Sequence, residues 1–476
     1  MLRRSHVTNY GFVINNKTCI GCHACTVACK SEHDVPIGVN RTHVKYIETG
    51  TYPDSTREFS VHRCNHCEDS PCTTICPTTA LFTRSDGIVD FDDERCIGCK
   101  SCMQACPYDA LYIDPNKGTA AKCNYCAHRI ENSYEPACVI VCPTESIVSG
   151  DLDDPNSAIS NLVASHETTV RKPQSGAKPN LYYIDASEEM LDPKATEVTG
   201  SGMWTEQAFG VGHFAKYADS RLEGADTTSM IVQLALEKKA KKSSPRDQAI
   251  IRDVMDRLSE ESVGAKRSYD QPSKGILWGW EVSAYIWTKG ISAGTYVVAV
   301  LAMLSGLVEM DDSLWAMTLG IGIVFLAITG LLLVIDLDRP ERFLYVMLRP
   351  NWDSWLVKGA YILSCYGGIL ALSTGVIILD LDRAILTYLA IAGVPLALLT
   401  GMYTAWLLMQ AKGRSWSEDS LLPAKFLIET LAIGAAVFLP ISLMEPIFFL
   451  IGGVVLLGIL AHDNKLVMKP QMEPLL

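Results

Sequence analysis

The sequence predicts two unlike units in one chain: an α+β domain built around cysteine-rich metal sites, then an all-α transmembrane bundle of about six helices. Three observations lead there. Sixteen of the 17 cysteines fall between Cys19 and Cys142. Apolar runs long enough to span a bilayer begin after residue 275 and recur towards the C-terminus. The averages, 48% hydrophobic and 20% charged over 476 residues, are too apolar for one soluble domain and too charged for a purely integral membrane protein. The net charge of −12, with no basic patch, argues against a nucleic-acid partner.

Residues 1–18 hold a basic pair, Arg3 and Arg4, but no apolar core and no small-residue cleavage site follow. They read as a mature N-terminus without its own export signal. The cysteines then come in four groups: Cys19, Cys22, Cys25 and Cys29; Cys64, Cys67, Cys72 and Cys76; Cys96, Cys99, Cys102 and Cys106; and Cys123, Cys126, Cys138 and Cys142. Pro77, Pro107 and Pro143 follow the last cysteine of three groups.

This spacing has a physical reading. Three thiolates two residues apart, on a loop around a cubane, reach three iron corners. The fourth, three residues on, opens a helix and points to the other cluster of a pair. Proline after it suits the first helical turn. A tetrahedral zinc knuckle has no use for the third cysteine, and disulfides at this spacing are strained. Four groups predict four [4Fe–4S] clusters; the spacing alone leaves open which groups pair. Short β-like runs, Gly87–Phe91 and Ala110–Asp114, lie between groups. Residues 1–186 therefore read as an α+β ferredoxin-like domain whose clusters supply much of its stability. His23, His62, His66 and His128 are surplus to the cysteine count and read as outer or solvent residues.

The second group's four-residue gap and the fourth group's eleven-residue gap resemble the four-cluster iron–sulfur subunits of the DMSO reductase and polysulfide reductase families. So do Gly150–Pro155 (GDLDDP) and Pro179–Ile184 (PNLYYI). The resemblance implies that the first group pairs with the fourth and the second with the third. One cluster then takes Cys19, Cys22, Cys25 and Cys142, and its neighbour Cys123, Cys126, Cys138 and Cys29. A third takes Cys64, Cys67, Cys72 and Cys106, and a fourth Cys96, Cys99, Cys102 and Cys76. Lys30 stands where the family often has proline.

Residues 187–274 read as a polar connector. Leu234–Lys242 and Asp247–Ser262 have helical character, and Ile250, Ile251, Val254, Met255 and Leu258 form an amphipathic stripe. Its mixed-sign polar face suits docking on protein better than on a membrane.

Residues 275–476 hold the expected spans Ala284–Val308, Ser313–Ile335, Trp355–Leu379, Ala384–Met409, Leu421–Met444 and Pro446–Ala461, with five as the alternative count. Eight of the nine tryptophans lie here, most near span ends. Arg339, Arg342, Arg349, Lys358, Lys412, Arg414, Lys465 and Lys469 fall on the side shared with the cysteines; Glu309, Asp311, Asp312, Asp380, Asp382 and Glu445 fall opposite. The positive-inside rule then places the cysteine domain on the cytoplasmic side of a prokaryotic inner membrane.

Trp278–Gly294 (WGWEVSAYIWTKGISAG), Asp336–Phe343 (DLDRPERF) and Arg349–Trp355 (RPNWDSW) resemble the polysulfide reductase (NrfD-like) membrane subunits. The resemblance implies a quinone, menaquinone or ubiquinone, exchanging electrons with the adjoining iron–sulfur part. It also implies a large molybdenum or tungsten pterin catalytic subunit as partner, and leaves room for further subunits. Those subunits usually have eight or more helices, and fusion of both parts in one chain is uncommon. Glu281, Tyr285 and Lys289 share a helix face, with Lys289 roughly 12 Å along the axis from Glu281. Ionisable groups inside spans are functional candidates. Tyr285 and Lys289 are candidate donors to the quinone and Asp336 a relay. Arg339 and Arg342 would hold its head group or a cluster-side loop. A plain internal salt bridge from Lys289 to Asp336 or Glu281 is the competing reading. Glu429 is a candidate proton relay, or else the partner of Lys425. Cys365 reads as a buried small apolar residue. The expected function is an electron-transfer and anchor subunit of a respiratory oxidoreductase. The alternatives are a wire and anchor without its own quinone site, and a proton-translocating quinone module.

Overall fold

The computed structural model describes residues 8–51, 54–198, 265–270, 274–443, 446–473 and 475. Residues 1–7, and the helical segments expected at Leu234–Lys242 and Asp247–Ser262, lie outside the described residues.

Between the cysteine loops the chain forms strands β1 (Tyr10–Asn15), β2 (Thr42–Thr51), β3 (Asp54–Arg63), β4 (Leu81–Thr83), β5 (Val89–Phe91), β6 (Leu111–Asp114), β7 (Thr119–Lys122), β8 (Ile147–Asp151), β9 (Thr168–Thr169), β10 (Leu181–Ile184), β11 (Thr196–Val198) and β12 (Ala265–Tyr269). One sheet runs β8-β1-β10-β9, with β1 parallel to β10 and antiparallel to β8. PNLYYI therefore holds β10 and GDLDDP begins at the end of β8, the two strands that flank β1. A second sheet runs β11-β12-β2-β3, and β4-β5 and β6-β7 are small hairpins. The two ends of the expected connector, β11 and β12, are strands of this second sheet beside the cysteine domain's β2.

Helices α1 (Ala24–Glu32), α2 (Pro71–Ile75), α3 (Ser101–Ala105), α4 (Ala127–Ile130) and α5 (Ala137–Ile140) each carry or follow ligand-type cysteines. His23, Lys100 and Cys126, at the caps of α1, α3 and α4, adopt left-handed φ of 60°, 60° and 51°. That conformation is costly away from glycine, and here it turns each loop into its helix within one residue. Pro71 opens α2, where its missing N–H costs nothing. Helices α6 (Ala158–Ser165) and α7 (Glu188–Leu191) cover the sheets.

The C-terminal part contains α8 (Trp280–Leu304), α9 (Asp312–Ile335), the short α10 (Tyr345–Leu348), α11 (Trp355–Ile378), α12 (Arg383–Gln410), α13 (Leu422–Leu443) and α14 (Pro446–Met472). Six of these are long and apolar enough to cross a membrane. The chain is a multi-pass membrane protein. Helix α8 is the centre of the bundle, 72% buried in its apolar window against 11% for α14. It packs on α9, α12, α13 and α14. Gly294 and Gly434 bring α8 and α13 backbone to backbone, where any Cβ would collide.

Two boundaries differ from the expected spans. Helix α8 begins at Trp280, because Glu281 sits in its first turn, where the helix dipole favours an anion. Helix α14 continues past Ala461 to Met472. Hydropathy ends the span at His462-Asp463-Asn464-Lys465, but neighbouring helices rather than lipid surround Asp463, which is fully buried. Cys365, expected buried, is exposed on the outer face of α11.

Candidate functional site

All sixteen clustered cysteines are free thiols, and most are buried. Cys19, Cys22, Cys25 and Cys142 line one cavity; Cys76, Cys96, Cys99 and Cys102 line another. Electrostatic coupling also joins Cys29 to Cys123, Cys138 and Cys126, and Cys72 to Cys106 and Cys64, with Cys67 beside that set. Four thiols around one space, as in these two cavities, is a donor set that fits a cubane.

The surroundings are suited to sulfur. Ala120 N–H donates to Cys96 Sγ at 3.3 Å, and Arg63 Nη1 to Cys138 Sγ at 2.9 Å. His33 Nε2 lies 3.2 Å from Cys126 Sγ. Burial pushes the Cys25 and Cys64 thiols each up to about 11, so a metal must displace those protons to be held. Burial also opposes ionisation of Cys142, but N–H groups of Thr144, Ser146 and Ile147 outweigh it and hold that thiol below its ordinary value. Arg63 is 2% exposed and its guanidinium lies 4.8 Å from the Phe12 ring. Burial opposes its charge, but the sulfurs of Cys138, Cys25 and Cys123 hold it firmly protonated. Among the expected outer histidines, His62 and His66 are buried, His23 is half-buried, and His128 pairs with Glu32.

The cage of Cys76, Cys96, Cys99 and Cys102 faces the membrane bundle. Arg339 N–H donates to Ile97 O at 3.2 Å and its Nε to Lys117 O at 2.6 Å. Arg342 Nη1 reaches Asp93 O at 2.7 Å and Cys96 O at 3.1 Å. Both arginines thus bond carbonyls of cluster-side loops. Asn351 Nδ2 donates to Cys76 O at 2.7 Å, and Ser354 Oγ to Ile75 O at 2.7 Å. The DLDRPERF and RPNWDSW stretches are thus the seats of the second and third cysteine groups. Asp336 belongs to the same seat: buried Lys100 donates to its carbonyl at 2.9 Å and lies 3.4 Å from Asp338. Trp278 Nε1 donates to Cys99 O at 3.2 Å.

A second seam closes the interface. Arg414 Nε donates to Gln104 Oε1 at 2.8 Å, and its Nη1 to the carbonyls of Gln471 and Glu473 at 3.1 and 3.0 Å. Gln471 Oε1 accepts from Leu277 and Trp278 N–H at 2.9 Å each, and from Gln104 Nε2. Gly413 lies so close that a Cβ would sit 2.6 Å from Cys106 O.

Inside the bundle, Tyr285 and Lys289 are 4% and 1% exposed. Lys289 Nζ bonds the Thr404 hydroxyl and lies 4.4, 5.5 and 5.8 Å from the Tyr403, Phe426 and Tyr285 ring centroids. It makes no ion pair with Asp336 or Glu281 among the described residues. Lys425 pairs with Asp419 at 2.5 Å rather than with Glu429. Glu429 instead lies near Asp463 and His462.

Sequence reading missed Asp463, because the apolar window stopped two residues short of it. It also missed Gln104, Arg414 and Gln471 as one network, since only contact joins positions so far apart. His33 was missed too; its place four residues after Cys29 was the available signal.

Comparison with known proteins follows the same division. Residues 56–152 match the family described as 4Fe-4S dicluster domain, residues 16–34 a 4Fe-4S binding domain, and residues 270–449 the family described as Polysulphide reductase, NrfD. A polysulfide reductase chain of Wolinella succinogenes is 42% identical over 178 residues, 37% of this chain and 93% of the relative. The arsenate respiratory reductase iron–sulfur subunit ArrB of a Shewanella species is 33% identical over 222 residues, 37% of this chain and 95% of the relative. A tetrathionate reductase subunit of Salmonella typhimurium is 38% identical over 188 residues, 39% of this chain and 75% of the relative.

Proposed function

Because this chain belongs to the family of [4Fe–4S] electron-transfer subunits that includes the Wolinella polysulfide reductase chain, with an NrfD-type membrane part in the same polypeptide, we propose that it links a catalytic partner to quinone in the membrane. The observation that carries this reading is the seat of the Cys76, Cys96, Cys99 and Cys102 cage. Carbonyls of Cys76, Cys96 and Cys99 accept from Asn351, Arg342 and Trp278 of the membrane part.

In this reading the four cysteine sets named from the sequence each hold a [4Fe–4S] cluster, which supplies one-electron chemistry when bound. The Cys76 set is the end of the wire at the membrane. The Cys19 set is the outer end, where Cys22 is exposed and a partner docks. The resemblance implies that this partner is a molybdenum or tungsten pterin subunit. The domain faces the cytoplasm by the charge asymmetry of the loops.

The chain's own residues supply the rest. Arg339, Arg342, Lys100 and Asn351 hold the cage against the bundle. Trp278 spans the seam, bonded to Cys99 O and packed in the cluster that contains Tyr285 and Phe426. Lys289 and Tyr285 are the donors for a quinone carbonyl, and the Tyr403 and Phe426 rings lie beside the Lys289 ammonium. Quinone reduction takes up two electrons and two protons, so an acid must stand near; Glu429 is that acid.

The test is a single-turnover experiment on the purified complex in vesicles. Chemically reduced protein, mixed with a soluble quinone analogue, should reoxidise while quinol forms at half the number of electrons lost. Reoxidation blocked by Lys289→Met, with cluster content intact, supports the site. Clusters that stay reduced in the presence of quinone refute the quinone role and leave the chain as wire and anchor. For ligation, Cys64→Ser should remove one cluster's signal from electron paramagnetic resonance; an unchanged count refutes that assignment.

A further inference from the structure

Three helices bring ionisable groups together within the bundle. Helix α8 presents Lys289 and Tyr285, α13 presents Glu429, and α14 presents His462 and Asp463, while Tyr403 and Thr404 of α12 lie against Lys289. A carboxylate oxygen of Glu429, one of Asp463 and a ring nitrogen of His462 lie within 4.8 Å of one another. Asp463 is 0% exposed. Neither of its oxygens, nor Oε1 of Glu429, has a hydrogen-bond partner among the described residues. Lys289 acts on both carboxylates by charge, and its ammonium is itself held by Thr404 and aromatic rings.

The charge count is decisive. His462 Nδ1 stands 4.0 Å from Asp463 Oδ1; with that imidazole neutral, two ionised carboxylates against one ammonium leave one unmatched negative charge in a site walled by helices. Buried charge without a partner is strongly disfavoured, and two carboxylates side by side do not both ionise. One proton between them gives neutrality and satisfies the orphaned oxygens at once. We propose that Glu429 and Asp463 share one proton and are the store that supplies one of the two protons of quinol. The pair gives up this one proton as quinone takes two electrons, delivered singly by the clusters, and the second proton is drawn from water outside the bundle. Lys289 then faces two carboxylates, and His462, with a 68% exposed side chain, returns the proton from outside the bundle. The destination of the proton rests on the quinone reading; the shared proton does not.

Infrared difference spectroscopy on the intact complex in vesicles tests both statements. At neutral pH the wild-type protein should show the C=O stretch of a protonated carboxylic acid that shifts in D2O. The band should vanish in Asp463→Asn and separately in Glu429→Gln, while Asp463→Glu keeps it; iron content verifies that each variant is folded and loaded. Quinol formation should bleach the band transiently in the wild type. No such band, or one that persists in both variants, overturns the shared proton. So does a tightly bound divalent cation other than iron that Asp463→Asn removes, since it would mean the carboxylates hold metal instead. A band indifferent to quinol formation overturns the store. Absence of quinol in the wild type refutes the quinone reading and leaves the band as an independent result.

Discussion

Replacing Arg63 by methionine should lower the reduction potentials of the clusters held by the first and fourth cysteine groups. The guanidinium is a full positive charge, 2% exposed, 2.9 Å from Cys138 Sγ and coupled to Cys25 and Cys123. It therefore touches both cages of that pair. A cluster becomes more negative on reduction, so a fixed cation beside it favours the reduced form. At an effective dielectric of about 20 and a mean separation of about 6 Å, one unit charge contributes about 2.8 kcal/mol, which is about 120 mV for a one-electron couple. Methionine keeps the packing on Phe12 and removes the charge. Redox titration monitored by electron paramagnetic resonance should show a fall of roughly 100 mV in one or both clusters, and Arg63→Lys should restore most of it. Potentials within about 20 mV of wild type, at full iron content, would show that solvent or compensating charge screens Arg63 and that the reasoning is wrong.

Three further outcomes are expected. Lys289→Met should cut the rate of quinone reduction at least tenfold while chemical reduction of the clusters proceeds at the wild-type rate; equal rates would place the quinone elsewhere. Arg414→Ala leaves the side-chain oxygen of Gln104 and the carbonyls of Gln471 and Glu473 without a charged donor, at a cost of about 1.5–3 kcal/mol for each bond not replaced by water. Hydrogen exchange at Leu277, Trp278 and Gln471 should rise by one to two orders of magnitude, and no change would remove Arg414 from the clamp. His43 is buried, and burial, then Lys45, hold it well below its ordinary value. Its folded pKa is depressed, so the unfolded chain binds the extra proton: the contribution is complete above about pH 6.5 and is lost as pH falls, at about 1.4 kcal/mol per pH unit. Buried His62 and His66 are depressed in the same direction, so the stability of the cysteine domain should fall by at least that slope below about pH 6.5, and His43→Phe should reduce the slope by about 1.4 kcal/mol per pH unit.

The cysteine domain was legible because cluster ligation is local. Three thiols on one loop are set by spacing, and the left-handed residues His23 and Lys100 merely execute the turn that spacing demands. The spans were legible because lipid selects composition. What escaped was set by contact. Asp463 reads from the chain as the polar end of a span, since hydropathy takes the solvent to be either lipid or water. Its surroundings are neither, but the faces of α8 and α13. Arg339 and Arg342 sit in a stretch whose resemblance pointed at quinone or loop alike, and the carbonyls of Lys117, Asp93 and Cys96 that they bond are not visible along the chain. Charge at a membrane boundary has the same sequence signature whether it orients the helix, holds a ligand or seats a domain.

Fusion of the two parts in one chain has a physical consequence for the seam. Separate subunits must recover the loss of translational and rotational freedom on association, which is large. A tethered domain does not, so the contact between its parts is free to be polar. Beside apolar contacts such as Ile97 with Val346 and Val357, the seam carries a dense set of polar bonds: Lys100 with Asp336 and Asp338, Arg342 on two carbonyls, Arg414 and Gln471 bridging Gln104 to Trp278. Such bonds are directional, and direction is what the wire needs. They fix the Cys99 carbonyl on Trp278 and hold the Cys76 set at one position relative to Lys289. A greasy interface would be stronger for the same area but tolerant of sliding, and sliding would change the distance an electron must cross.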